Sequence, residues 1–158
     1  MKKSEFNNDY MQEAIKQAEI ALLSNEIPVG AVIVEHKSGK IVSKAHNLMQ
    51  QKNNPTFHAE MVAINSACDI LGSKNLSNCD IYVSLEPCAM CAAAISYARL
   101  RRLFYSASDP KQGAVENGVR FFTSTSCFHC PEIYLGLMSE ISLQLMKSFF
   151  SKIRKDSL

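Results

Sequence analysis

His58-Ala59-Glu60 and, further along, Pro87-Cys88-Ala89-Met90-Cys91 are the residues of this chain whose types and spacing could do chemistry. One imidazole and two thiols three residues apart are what a three-ligand zinc site requires. The carboxylate two residues from the histidine points to the kind of site. A structural zinc centre closes its sphere with a fourth protein ligand and has no use for a neighbouring acid. A hydrolytic centre leaves the fourth position to water and needs an acid/base beside it. The expected roles are His58, Cys88 and Cys91 as ligands of one Zn2+ and Glu60 as proton carrier.

Chain geometry lets the two motifs meet. A helix from His58 to Leu71 advances about 20 Å at ~1.5 Å per residue. A strand from Asp80 to Leu85 returns roughly the same distance at ~3.3 Å per residue. Cys88 then arrives at the level from which His58 set out, on the sheet edge where open α/β folds place their ligands. The i, i+3 spacing puts both sulfurs on one helix face. Both motifs fall at helix N-termini, whose partial positive charge favours the thiolates that bind metal. His58 and Glu60, at i and i+2, would diverge in mid-helix. They converge only if the helix begins at His58, so that start is a requirement.

The remaining elements follow from periodicity and punctuation. Glu5 to Leu23 reads as an amphipathic helix through Phe6, Tyr10, Met11, Ala14, Ile15, Ala18, Ala21 and Leu22. Val29–Val34 is a continuous apolar run, read as a buried strand, and Lys40–Ala45 returns as its hairpin partner after the turn at His36-Lys37-Ser38-Gly39. Gly72 suits the position after a helix C-terminus, and Pro87 the start of a helix from Cys88 to Ala98. Leu103–Ala107 and Ile133–Leu137 are further strands, and Ser139 to Ile153 an amphipathic closing helix. The alternation predicts an α/β fold with helices on both faces of one sheet.

The 158 residues, 47% hydrophobic and 20% charged and without repeats or linker-like breaks, fit one domain spanning 1–158. No run is long enough to span a membrane, and the basic start Met1-Lys2-Lys3 lacks the apolar stretch of a signal peptide. A cytoplasmic location with reduced thiols is therefore expected, and CxxC spacing then indicates metal rather than disulfides. A net charge of +2 does not by itself indicate nucleic acid. Near the end, however, Lys147, Lys152, Arg154 and Lys155 stand against Asp156, either as a solvated helix face or as phosphate contacts. Cys127-Phe128-His129-Cys130 is a second CxxC, and a four-thiolate site with Cys88 and Cys91 would leave His58 and Glu60 idle. Cys68 is read as core, Cys79 as incidental before a strand and His36 as solvated. Asn47 is a turn or capping residue, or one whose paired donor and acceptor read a base edge.

The motif set H-x-E…P-C-x-x-C resembles that of the zinc deaminases that act on bases. The resemblance runs almost the whole length, through Ile27-Pro28-Val29-Gly30-Ala31-Val32, Asn47, Pro55–Glu60, Leu85–Ala92, Asp109–Ala114 and Phe149-Phe150. The chain is similar to the bacterial tRNA-specific adenosine deaminases of the cytidine deaminase-like fold. That resemblance implies a three-layer fold with a mixed, mostly parallel five-stranded sheet in order 2-1-3-4-5. It implies a homodimer that converts adenosine to inosine at the wobble position of a tRNA anticodon. It places Asn47, Val29, Ala59 and Phe149 at the substrate and the anticodon loop as partner. Phe128, Ile141 and His46 depart from residues common in that family, and the closing basic cluster is spread out.

Two other readings remain at this point. One is a deaminase of a free nucleobase or nucleoside of guanine or cytosine type. The other is a zinc-stabilised RNA-binding module without catalysis, for which Glu60 would have no purpose.

Overall fold

The computed structural model describes residues 8–158, so the helix start expected at Glu5, with Phe6, lies outside the described residues. In chain order the elements are α1 (Asn8–Leu23), β1 (Gly30–Glu35), β2 (Ile41–His46), α2 (Ala59–Leu71), β3 (Cys79–Leu85), α3 (Ala89–Tyr97), β4 (Arg102–Ala107), β5 (Glu132–Leu135) and α4 (Ser139–Asp156). A short 3-10 turn at Phe121–Thr123, which no periodicity announces, lies between β4 and β5.

The five strands form one sheet in the order β2-β1-β3-β4-β5. β1 runs antiparallel to both β2 and β3, whereas β3–β4 and β4–β5 are parallel. The sheet is thus mixed, but less parallel than expected, because β2 returns from β1 by a hairpin and the α2 crossover then sets β3 on the other side of β1, which leaves β1 antiparallel to both neighbours. The last strand, whose direction the sequence leaves open, runs parallel to β4.

Strand alternation sorts the core into two layers. Ala31, Ile33, Ile81, Val83, Leu103 and Tyr105 face the side covered by α2 and α3, with Ala63, Ala67, Ala92 and Ile95 packed on them. Val32, Val34, Tyr82 and Phe104 face the opposite side, with Met11, Ala14 and Ile15 of α1. Tyr82 and Phe104 stack there with centroids 4.3 Å apart, and Phe104 stacks on Tyr134 at 4.9 Å. Helix α4 packs on this same side, against α1 and β4.

α1 lies unusually close to β1. A Cβ at Gly30 would come within 2.0 Å of the Ala14 carbonyl oxygen and 2.6 Å of the Ala18 nitrogen. Both are backbone atoms of the overlying helix, so only glycine permits this approach. At the other end of the site-bearing layer, Gly72 stops α2 in the left-handed region at φ +61°, and the Ser73 N–H bonds back to the Cys68 carbonyl at 3.1 Å.

Cys79 corrects its sequence reading. It is the first residue of β3 and only 1% exposed, an interior residue rather than an incidental one. Among the described residues no helix is long and apolar enough to cross a membrane.

Candidate metal centre

Helix α2 begins at Ala59 with His58 as its N-cap in extended conformation, φ −68° and ψ 152°. Helix α3 begins at Ala89 with Cys88 in the same role, φ −73° and ψ 174°. The start demanded by the His58/Glu60 spacing is therefore met to within the cap residue. Neither cap residue hydrogen-bonds its own helix through its side chain, so both side chains are left to turn toward a common point.

That point is well defined. His58 Nδ1 lies 3.6 Å from Cys88 Sγ and 3.6 Å from Cys91 Sγ. All three donor atoms lie within 4.8 Å of one another. A tetrahedral Zn2+ with bonds of ~2.3 Å to sulfur and ~2.0–2.1 Å to nitrogen separates its N and S ligands by about 3.6 Å. The donor set and its spacing fit zinc, with Nδ1 as the ligating nitrogen. Two thiolates and a neutral imidazole also match the charge of the ion.

Among the described residues no other group of three or more His, Cys, Asp or Glu is placed to hold a metal. The four-thiolate alternative fails for that reason. Cys127 instead lies 3.8 Å from Ser96 Oγ on α3, the His129 ring meets the Leu100 carbonyl at 3.0 Å, and the Cys130 thiol donates to the Pro131 carbonyl.

Without metal, the sulfurs and the imidazole share protons. The Cys91 thiol donates to Cys88, which with the His58 ring holds Cys88 down at about 4 despite burial. The same bond, burial and the neighbouring carboxylate push the Cys91 thiol up. Cys88 in turn raises the His58 imidazole. Glu60 is buried at 4% exposure, and desolvation pushes it up to about 7. Its carboxylate meets the Cys91 thiol and its own backbone N–H, both of which pull the other way.

The substrate residues expected from the sequence divide. Asn47 is buried; its side-chain oxygen accepts the Ala59 N–H at 2.8 Å, and its own N–H donates to the Val29 carbonyl at 3.2 Å. Asn47, Val29 and Ala59 thus adjoin the His58 end of the centre, and all three are buried. Phe149 stands apart on α4, 9% exposed, in an edge-on pair with Phe150, which is the more open ring at 43%.

Sequence reasoning gives Glu86 no role, yet its buried carboxylate is a hub for the residues that follow β4. Burial would raise its pKa, but N–H bonds from Asp109, Asn117 and Val115 hold it below the usual carboxylate range. A signal for it exists in the chain: an acid closing an apolar strand directly before Pro-Cys has no solvent-facing reason to be there.

A three-layer α/β fold with a His-Cys-Cys zinc pocket and a buried acid beside it defines a zinc-dependent deaminase. The model of the cytidine and deoxycytidylate deaminase zinc-binding region matches residues 4–107, and the chain belongs to that family. Within it, the chain is 62% identical over 144 residues to a tRNA-specific adenosine deaminase of Rickettsia bellii, covering 91% of this chain and 99% of that one. A solved structure from studies of tRNA:A34 deaminases matches with a TM-score of 0.85 and 45% identity over 88% of this chain and 99% of that one. A guanine deaminase from Bacillus subtilis is more distant, at 32% identity and a TM-score of 0.62 over 76% and 86% of the two chains. The chain is a member of the tRNA-specific adenosine deaminases.

Proposed function

We propose that this protein deaminates adenosine to inosine at the wobble position of a tRNA anticodon, with one Zn2+ held by His58, Cys88 and Cys91. The observation that carries the reading is the 3.6 Å spacing of one nitrogen from two sulfurs, with a buried carboxylate against them. A zinc ion there supplies Lewis acidity, which lowers the pKa of water from ~15.7 toward 7.

Glu60 does the proton work. Its carboxylate takes a proton from the attacking water and gives it to N1 of the purine, so that C6 becomes open to the oxygen. It then carries the second proton to the exocyclic amine, which leaves as ammonia; adenosine and water become inosine and ammonia. A carboxyl that burial raises toward neutrality suits both directions of transfer. Asn47, Val29 and Ala59 line the base: the Asn47 oxygen is committed to Ala59, so its side-chain N–H2 is the group that meets the base edge. Phe149 and the basic end of α4 take the flanking nucleotides and phosphates. The 158 residues act as one cytoplasmic domain, paired as a homodimer.

The B. subtilis guanine deaminase match favours a free-base reading only weakly, at 32% identity against 62% for the tRNA-specific relative. Purified protein incubated separately with tRNA, adenosine, cytidine and guanine decides between them. Inosine appearing in tRNA alone is expected; xanthine from guanine, with tRNA untouched, would overturn the proposal.

A further inference from the structure

Glu86 sits two residues before Cys88, is 2% exposed and has no part in the proton transfers above. Its carboxylate accepts six hydrogen bonds. One oxygen takes the backbone N–H groups of Val115 at 3.1 Å, Glu116 at 2.9 Å and Asn117 at 3.0 Å. The other takes the Asp109 N–H at 2.8 Å, the Asn117 side-chain amide at 2.7 Å and the Ser108 hydroxyl at 3.4 Å. The main chain is gripped as well. The Glu86 N–H donates to the Ala107 carbonyl at 2.8 Å, and the Ala114 N–H to the Pro87 carbonyl at 2.9 Å. Gly113 closes against the same carboxylate. A Cβ there would lie 2.3 Å from Glu86 Cδ and 2.4 Å from Oε2, so the packing admits no side chain.

The three ligands are not held alike. Cys91 is fixed within the first turn of α3. His58 caps α2, whose first N–H is tied to Asn47. Cys88 caps α3, its carbonyl accepting the Ala92 N–H at 2.8 Å, but it makes no side-chain cap bond, so on its N-terminal side its place depends on the two residues leading into it. Those residues are Glu86 and Pro87, and both are bound to the 107–117 segment.

We propose that Glu86 is a positioning residue for the metal: its carboxylate ties the loop 108–117 to the Glu86-Pro87 turn and so sets Cys88 Sγ at ligating distance from His58 and Cys91. The inference rests on the zinc reading of those three residues. Every partner of the carboxylate is a donor, so Glu86→Gln forces an amide N–H2 against N–H groups and loosens the tie without changing size. Gly113→Ala loosens it from the other side and leaves the carboxylate intact.

The test loads the wild type, Glu86→Gln and Gly113→Ala with Zn2+ and, separately, with Co2+ as a spectroscopic stand-in. The rate at which a chelator strips Zn2+ should rise about tenfold or more in both variants, the usual scale for losing a group that orients a ligand. The sulfur-to-cobalt charge-transfer band should shift or weaken in both. Unchanged release and an unchanged cobalt spectrum in folded variants, even with a lower melting temperature, would overturn the proposal in favour of simple loop anchoring. If neither variant folds, Asn117→Ala, which removes one donor, decides: faster Zn2+ release supports the tie and unaltered release overturns it. A wild type that takes up neither metal overturns the zinc reading itself, and this inference with it.

Discussion

The side-chain oxygen of Asn47 accepts the backbone N–H of Ala59 at 2.8 Å, so the residue that ends the β1–β2 hairpin caps the helix that begins with the zinc motif. His58, the formal N-cap, keeps its imidazole for the metal and offers no cap bond. Asn47 satisfies one of the orphan N–H groups of α2 from across the site, so the base-reading role proposed for it would join base recognition to helix stability in one side chain. Asn47→Asp keeps the acceptor at a helix N-terminus but buries a charge, so it should lose stability at neutral pH and regain most of it near pH 4. Asn47→Ala loses the cap and should cost about 1 kcal/mol. Both should lose most activity on tRNA, because both lack the N–H2 donor. A fully active Asn47→Asp would remove the amide from base recognition while leaving the cap in place.

Glu60→Gln separates binding metal from moving protons. The variant should hold about as much zinc as wild type, by elemental analysis, and lose nearly all turnover. Retained turnover would defeat the proton-carrier role. Stability gives a second readout in metal-free protein. The folded-state pKa of Glu60, about 7, lies above its unfolded value. Folding therefore favours the protonated form, and the contribution is present at low pH and lost as pH rises through about 7. At pH 8 the buried charge costs about 3 kcal/mol, so metal-free Glu60→Gln should be the more stable protein by a large part of that amount. The gap should vanish near pH 4 in denaturant titrations.

The metal-free centre also predicts an order of thiol reactivity. Cys88, held at about 4 chiefly by the Cys91 thiol, stays a thiolate through the neutral range. Cys79, buried and pushed up to about 11, stays a protonated thiol. After chelation, iodoacetamide at pH 6 should modify Cys88 first, with Cys79 untouched until the protein unfolds. Adding Zn2+ before the reagent should protect Cys88, and lowering the pH through about 4 should slow its reaction. Peptide mapping by mass spectrometry reads all three outcomes.

Much of this is legible in the chain because the informative signals are local. The P-C-x-x-C spacing fixes which sulfurs share a helix face, the H-x-E spacing fixes where its helix must begin, and helix rise against strand rise fixes where the two motifs meet. The requirement that α2 start at His58 is the clearest case, since the cap falls on that residue. What stays hidden depends on partners distant in sequence. Glu86 draws four of its donors from 29 to 31 residues away, Val115, Glu116 and Asn117, and no short window contains both ends. Cys79 looks incidental in sequence because its burial comes from the overlying layer rather than its neighbours. The family resemblance overstates the parallel share of the sheet, because the β1–β2 hairpin leaves β1 antiparallel to both of its neighbours.

The end of α4 offers the remaining test. Lys152, Arg154 and Lys155 are exposed, and Lys152 Nζ donates to Asn25 Oδ1 at 2.9 Å. Asn25 lies in the turn that leads through Pro28 to Val29, so this basic end is fastened beside the strand that adjoins Asn47. If these groups meet RNA phosphates, removing each of them removes a released counterion and reduces the dependence of binding on salt. Replacing all three with Gln should raise KM for tRNA several-fold and leave kcat and zinc content near wild type. The slope of log affinity against log salt should become shallower by about 2, at roughly 0.7–0.9 for each phosphate no longer neutralised. An unchanged slope would return the three residues to a solvated helix face. A single Lys152→Gln variant that reproduces the whole effect would locate it instead in the tie to Asn25, because freeing a single phosphate alters the slope by less than about 1.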